Sequence, residues 1–170
     1  MVSRILDGAK QAGAQVDIVL LKEWNIEECD GCHTCWKGEP CVRTDGMNEI
    51  YPKIIESDAI VFGTPVYWYG PTALMKAFID RLVYFNCPEN RAKIRGKLAA
   101  IAVPFEEEDP ATAALVLAFF EKSLQYLEMN LVGKILVPGV SGKGEILQKG
   151  DRLEEACELG KRLAVSLRGK

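Results

Sequence analysis

Residues 59–63, Ala-Ile-Val-Phe-Gly, narrow the choice of fold more than any other segment. The run is apolar without alternation and is bounded by Ser57-Asp58 on one side and Thr64-Pro65 on the other. Such a run suits a short strand buried on both faces, which is the environment of a parallel sheet covered by helices. The rest of the chain alternates accordingly. Val2, Ile5, Leu6 and Ala9 share one helical face, so residues 1–12 read as a helix stopped by Gly13, and residues 16–21 read as a strand. Asp45 can cap a helix that buries Met47, Ile50, Tyr51, Ile54 and Ile55, with Pro52 disturbing its regularity. Pro71 opens a helix to about residue 85 that buries Leu74, Ala77, Phe78, Leu82 and Phe85, and residues 97–103 form the next strand. Asp109-Pro110 starts a helix with Leu117, Phe120, Leu124 and Leu127 inside, residues 131–137 are a strand, and residues 151–167 a closing helix. That last helix buries Leu153, Ala156, Gly160, Leu163, Ala164 and Leu167. The prediction is one α/β domain over residues 1–170, with right-handed crossovers and a ligand site at the carboxyl ends of the strands.

A chain of 170 residues buries roughly 70% of the surface exposed when unfolded, enough for a core without metal or disulfide support. The longest uncharged run, residues 59–75, is broken by Pro65, Gly70 and Pro71, so no membrane span is expected. The first seven residues lack the basic stretch and apolar core of a secretory signal, which predicts a cytoplasmic protein. A net charge of −3 without a basic cluster argues against a nucleic-acid partner.

Two loops carry chemistry. Cys29, Cys32, Cys35 and Cys41 fall within thirteen residues after the first strand. Gaps this tight can place one thiolate on each corner of an iron-sulfur cluster, and a [4Fe-4S] cluster is the leading reading. Zinc usually pairs two separated knuckles and ranks below it, while reduced, redox-active thiols remain an alternative. Disulfides would close very small loops in a reducing compartment and are disfavoured. His33, the single histidine, reads as a bystander or hydrogen-bond donor, and Cys87 and Cys157 as packing residues. The second loop, Thr64-Pro65-Val66-Tyr67-Trp68-Tyr69-Gly70-Pro71, leaves the central strand at the sheet edge where planar ligands bind in such folds. Its aromatics offer flat apolar surface to a ring system or, equally on composition, to a neighbouring subunit.

The stretch from Asp45-Gly46-Met47 through Ser57-Asp58-Ala59-Ile60-Val61-Phe62-Gly63-Thr64-Pro65-Val66-Tyr67-Trp68-Tyr69-Gly70 to Lys76-Ala77-Phe78-Ile79-Asp80-Arg81 resembles the NADPH-dependent FMN reductase family of flavodoxin-like proteins. With Cys29, Cys32, Cys35 and Cys41 it is similar to the iron-sulfur flavoprotein branch. The resemblance implies a three-layer αβα sandwich, an FMN ring resting on Thr64, Pro65, Val66, Tyr67, Trp68 and Tyr69, and a [4Fe-4S] cluster on the four cysteines. It implies an electron carrier that forms a homodimer or homotetramer, serving a small-molecule acceptor, with a redox protein such as ferredoxin or NAD(P)H as donor. The alternatives are a cluster-free NAD(P)H-dependent FMN or quinone reductase and a cofactor-free interaction module. No side chain is assigned as catalytic, because flavin redox chemistry belongs to the cofactor. Lys76, Asp80 and Arg81 read as a surface or interface salt network.

The family begins with a strand and a phosphate loop, whereas this sequence opens inside the helix that would follow them. Met1-Val2-Ser3 offers at most Ser3 to a phosphate. In the 2-1-3-4-5 order the first strand lies between residues 16–21 and 59–63, so a central gap in the sheet is expected. The expectation is an N-terminally shortened or mis-started chain. Glu106-Glu107-Glu108-Asp109 stands where the family carries a glycine-rich loop and reads as a solvated helix entry that repels phosphates.

Overall fold

A computed structural model of the chain describes residues 1–168. Three strands, β1 (Ala59–Gly63), β2 (Leu98–Pro104) and β3 (Asn130–Val137), form a parallel sheet in the order β1-β2-β3. Ala59 lies opposite Leu98 and Leu98 opposite Asn130, with one irregularity between Ala99 and Ala100. Among the described residues six helices surround it: α1 (Val2–Gln11), α2 (Met47–Glu56), α3 (Ala73–Arg81), α4 (Pro88–Ile94), α5 (Ala114–Tyr126) and α6 (Gly150–Arg168). None is long and apolar enough to cross a membrane among the described residues.

β2 shows how a two-residue period builds two cores at once. Ala99, Ile101 and Val103 face the larger core with α2, α3 and α5, while Leu98, Ala100 and Ala102 face the core made with α1 and α6. Both cores are dry at β2, where every residue from Leu98 to Val103 is buried. On the second face, alanines on the sheet leave room for two helices, and glycines bring those helices together. A Cβ on Gly8 would lie 1.9 Å from the Cys157 carbonyl oxygen, and one on Gly160 would lie 1.8 Å from that of Ile5. Only hydrogen fits at either contact between α1 and α6.

Three expectations shift. Residues 16–20 are extended but form no ladder, because among the described residues β1 pairs only with β2 and no strand lies on its other side. Val16, Ile18 and Leu20 are exposed by 39–45%, while Val19 and Leu21 rest on the larger core, so the alternation of a half-buried strand survives without its hydrogen bonds. A cavity of ≈ 950 Å³ opens beside β1, lined by α1, residues 14–22, β1 itself and Leu163, Ala164 and Leu167 of α6. Second, α3 begins after a Thr72 cap, whose Oγ1 accepts from Met75 N at 3.2 Å, and gives way to a 3-10 turn at Leu82–Asn86. In that phase Met75 and Ile79 take the buried positions beside Phe78, and Leu74 lines the cavity. Third, a 3-10 turn at Pro110–Ala113, capped by Asp109 Oδ1 on Ala111 N at 2.9 Å, precedes α5 and turns Val116 inward in place of Leu117. α4, begun by Pro88 at its first position, was not foreseen in the sequence.

Candidate redox site

The loop leaving β1 divides into a supporting half and a presenting half. Thr64 is buried; its N–H continues the ladder to Ala102 O at 3.2 Å, and its hydroxyl donates to Pro65 O and accepts from Thr72 N, both at 3.1 Å. Val66 packs on the larger core. Beyond it, Tyr67 and Gly70 exchange two backbone hydrogen bonds of 2.9 and 3.0 Å. The turn between them forces Trp68 and Tyr69 to φ values of 49° and 60°, the left-handed region that costs a non-glycine residue about 1–3 kcal/mol. In return the turn pushes three rings outward: Tyr67, Trp68 and Tyr69 are 63%, 96% and 56% exposed. Of the six residues expected to carry a ring, Thr64, Pro65 and Val66 therefore form the floor and the aromatics form an exposed flap.

The cysteine loop is arranged differently. Cys29, Cys32, Cys35 and Cys41 line one small pocket of ≈ 40 Å³ together with Arg43, Tyr51 and Arg81. Cys35 is buried and its thiol donates to Val83 O at 3.8 Å, Cys32 is exposed, and Cys29 and Cys41 are intermediate. A 3-10 turn at Thr34–Lys37, entered and left in left-handed conformation at His33 and Gly38, carries Cys35 inward. Burial first, and then the neighbouring sulfurs of Cys41, Cys29 and Cys32, push the Cys35 thiol above its ordinary range. Among the described residues no three of His, Cys, Asp and Glu converge as ligands of a single ion. His33 stands edge-on to Trp36, centroids 4.1 Å apart, at the pocket rim.

The pocket is anchored by a residue the sequence places wrongly. Lys76 and Asp80 form the expected surface pair, Nζ to Oδ2 at 2.7 Å. Arg81 instead is buried at the end of α3, where Nη1 and Nη2 donate to Asp45 Oδ2 and Oδ1 at 2.5 and 3.1 Å. Its guanidinium also donates to Glu27 O at 2.9 Å and to Cys41 Sγ at 3.4 Å, while Tyr51 OH donates to the Arg81 carbonyl at 2.9 Å. Asp45 accepts in turn from Glu27 N at 2.8 Å and Met47 N at 3.0 Å, so one carboxylate, one residue ahead of the Gly46 cap, bonds the first N–H of α2, holds the cysteine loop and neutralises Arg81. Burial alone would raise the Asp45 carboxyl, but the Arg81 and backbone N–H groups outweigh it and hold the carboxyl below its usual range. The spacing Phe78, Arg81, Phe85 was the legible signal, since it sets the arginine on the helix's buried face. Arg43 pairs with Glu27 at 2.6 Å and Asp30 at 3.5 Å on the rim of the same pocket. The Nε atoms of Arg43 and Arg81 are the buried side-chain polar atoms left without a partner among the described residues, a condition that costs about 1–3 kcal/mol each.

At the third loop of the sheet edge, Phe105 N bonds to Val137 O at 3.0 Å and Val140 N to Phe105 O at 2.9 Å, while Glu106, Glu107 and Glu108 face solvent. Residues 1–137 match the sequence profile of the NADPH-dependent FMN reductase family. The chain belongs to that family. It is a flavin-dependent oxidoreductase with a flavodoxin-like α/β fold. An iron-sulfur flavoprotein of Archaeoglobus fulgidus is 32% identical over 174 residues, spanning 99% of this chain and 74% of the relative. A second iron-sulfur flavoprotein of that organism is 40% identical over 142 residues, spanning 84% and 70%. Among solved structures, the NAD(P)H:quinone oxidoreductase of Methanothermobacter marburgensis superposes with a TM-score of 0.73 at 17% identity, over 95% of this chain and 86% of that one. A WrbA-like flavodoxin of Agrobacterium tumefaciens gives 0.62 at 19% identity, over 98% and 87%. At those identities the structural likeness speaks for the fold alone.

Proposed function

We propose that this FMN reductase family member is an iron-sulfur flavoprotein, passing electrons between an external donor, a [4Fe-4S] cluster on Cys29, Cys32, Cys35 and Cys41, and FMN at Thr64, Pro65, Val66, Tyr67, Trp68 and Tyr69. The observation that carries the reading is the thiol pocket: four cysteines from one loop line a single space together with Arg43 and Arg81, each of which keeps a buried, unpaired Nε–H. That donor set fits a cluster, which takes one thiolate per iron at separate corners and needs no convergence on one ion. When bound, the cluster supplies one-electron transfer and the flavin accepts or gives electrons singly or in pairs. Everything else falls to the chain. Cys35 excludes water from one corner by its burial, Cys32 leaves another open to a partner, and Asp45 and Arg81 hold the loop in place.

The ring side of the flavin fits the loop after β1, where strain is spent on presenting three aromatics. On the phosphate side the described residues offer the start of α1, where no side chain caps the helix and Ser3 is the one hydroxyl. A small molecule as acceptor, a redox protein or NAD(P)H as donor, assembly as a homodimer or homotetramer, and a cytoplasmic setting that keeps the thiols reduced complete the proposal. A second reading, a cluster-free NAD(P)H-dependent reductase, draws support from the family profile, which spans residues 1–137.

Iron and acid-labile sulfide assays, with an anaerobic visible spectrum of the same sample, separate the two. About four irons per chain and a broad visible shoulder are expected; an iron-free, sulfide-free protein favours the second reading. Cys32→Ala removes one ligand and is expected to abolish the cluster absorption while any FMN stays bound, because the two groups sit on different loops. Full iron retention in that variant would overturn the ligand assignment.

A further inference from the structure

The cysteine pocket has a second layer that the ligand set does not explain. Two arginines, distant in sequence from one another, reach it from different elements: Arg43 from the loop itself and Arg81 from the end of α3. Both line the space bounded by the four thiols, and in both the Nε–H is buried without an acceptor. Buried donors are rarely left unpaired, and each such group calls for an explanation, an absent ion or cofactor among them. Their partners elsewhere are already assigned. The Nη groups of Arg81 serve Asp45, the Glu27 carbonyl and Cys41 Sγ at 3.4 Å, and those of Arg43 serve Glu27 and Asp30. What remains buried and unpaired on each fork is its Nε–H, beside a pocket lined by four thiols.

We propose that Arg81 and Arg43 are positioning residues that offer N–H donors to the sulfurs of the cluster and thereby raise its reduction potential, with Arg81 also fixing Cys41. This rests on the cluster reading above. Reduction adds one electron to a core already negative from four thiolates, and hydrogen bonds to sulfur stabilise the more negative state, so they shift the potential upward. Arg81 acts through direction and not through net charge, because Asp45 neutralises it across 2.5 Å at a site closed to water. Arg43, on the half-open rim, adds partial charge that Glu27 and Asp30 offset.

The distinction gives a test. Arg81→Lys keeps the positive charge beside Asp45 but removes the planar fork and its Nε–H. Wild type, Arg81→Lys and Arg43→Gln are prepared as full chains, loaded anaerobically with iron and sulfide, assayed for both, and titrated with dithionite while electron paramagnetic resonance follows the reduced cluster. With equal iron, the ratio of reduced to oxidised cluster at one applied potential is expected to fall about tenfold in Arg81→Lys, equal to about 59 mV for one electron. A smaller fall in the same direction is expected in Arg43→Gln. Equal ratios in all three proteins overturn the proposal and leave the cluster reading standing, whereas wild type without iron overturns the cluster reading and this proposal with it. Should Arg81→Lys fail to fold or to load iron, Arg43→Gln decides: its paired carboxylates are exposed, a lowered ratio supports the role, and an unchanged ratio refutes it.

Discussion

Residues 29–41 and residues 16–20 both lie outside the sheet and the α-helices, yet they are held by opposite means. The cysteine loop is tied to α2 and α3 by one buried ion pair whose members also bond its backbone at Glu27 and its sulfur at Cys41. Residues 16–20 are tied by Lys53 to Asp17 at 2.6 Å, a pair exposed on both sides, and by Val19 against the core. Exposed pairs contribute about 0–1 kcal/mol, whereas breaking a buried pair costs about 3–5 kcal/mol because a charge is stranded. An irregular segment can thus be more firmly fixed than an extended one that has the pattern of a strand but no neighbour to bond.

The largest expected effect strands Asp45. Arg81→Met should lower the urea-derived stability by about 3–5 kcal/mol, and a loss below about 1 kcal/mol would put the cysteine loop on the same footing as residues 16–20. Next comes the helix contact that flanks the open side of the sheet. Gly160→Ala places a Cβ against the Ile5 carbonyl, so α1 and α6 must part, and a loss of about 1–3 kcal/mol is expected in the same assay. An unaffected variant would mean that α1 is as loosely seated as the segment following it.

The comparison also sharpens with pH. Asp45 ionises below its unfolded range, so its contribution is complete above the unfolded value near 3.9 and is lost as pH falls from there through the lower folded value. Asp45→Asn should therefore lose less stability than wild type on acidification through that window, though Asp17, Asp30 and Glu145, also held low, keep some slope in both. Parallel acid curves for the two proteins would remove the ion pair from the account. The smallest effect belongs to the extended segment: Ile18→Ser, at a side chain already 45% exposed, should change the urea-derived stability by no more than about 0.5 kcal/mol.

Much of the architecture was legible because burial writes periodicity into sequence. The stripes of α5 and α6 show it, as does the Asp109-Pro110 entry, whereas residues 59–63, read as buried on both faces, form the expected strand but bury only Phe62 fully, because the cavity opens beside them. Residues 16–21 show where that rule stops: alternation records which side chains face the core, but a strand exists only when its backbone finds a partner. The phase of α3 was less legible because Leu74 and Met75 are both apolar, and only the Thr72 cap and the cavity decide which turns inward. The thiol pocket could be read from spacing alone. Its anchor was harder to read: the spacing Phe78, Arg81, Phe85 marks a buried position, but an arginine is assigned to the surface by default and its partner Asp45 lies 36 residues away.

The strained turn at Trp68 has an optical consequence. Of the three tryptophans, Trp24 is packed against the core and Trp36 is 48% exposed, while Trp68 stands 96% in water. Water relaxes around an excited indole and shifts its emission to longer wavelength, so the red edge of the protein's fluorescence comes chiefly from the tip of that loop. Any molecule that settles over it, whether cofactor, donor or second subunit, will announce itself as a blue shift in unlabelled protein.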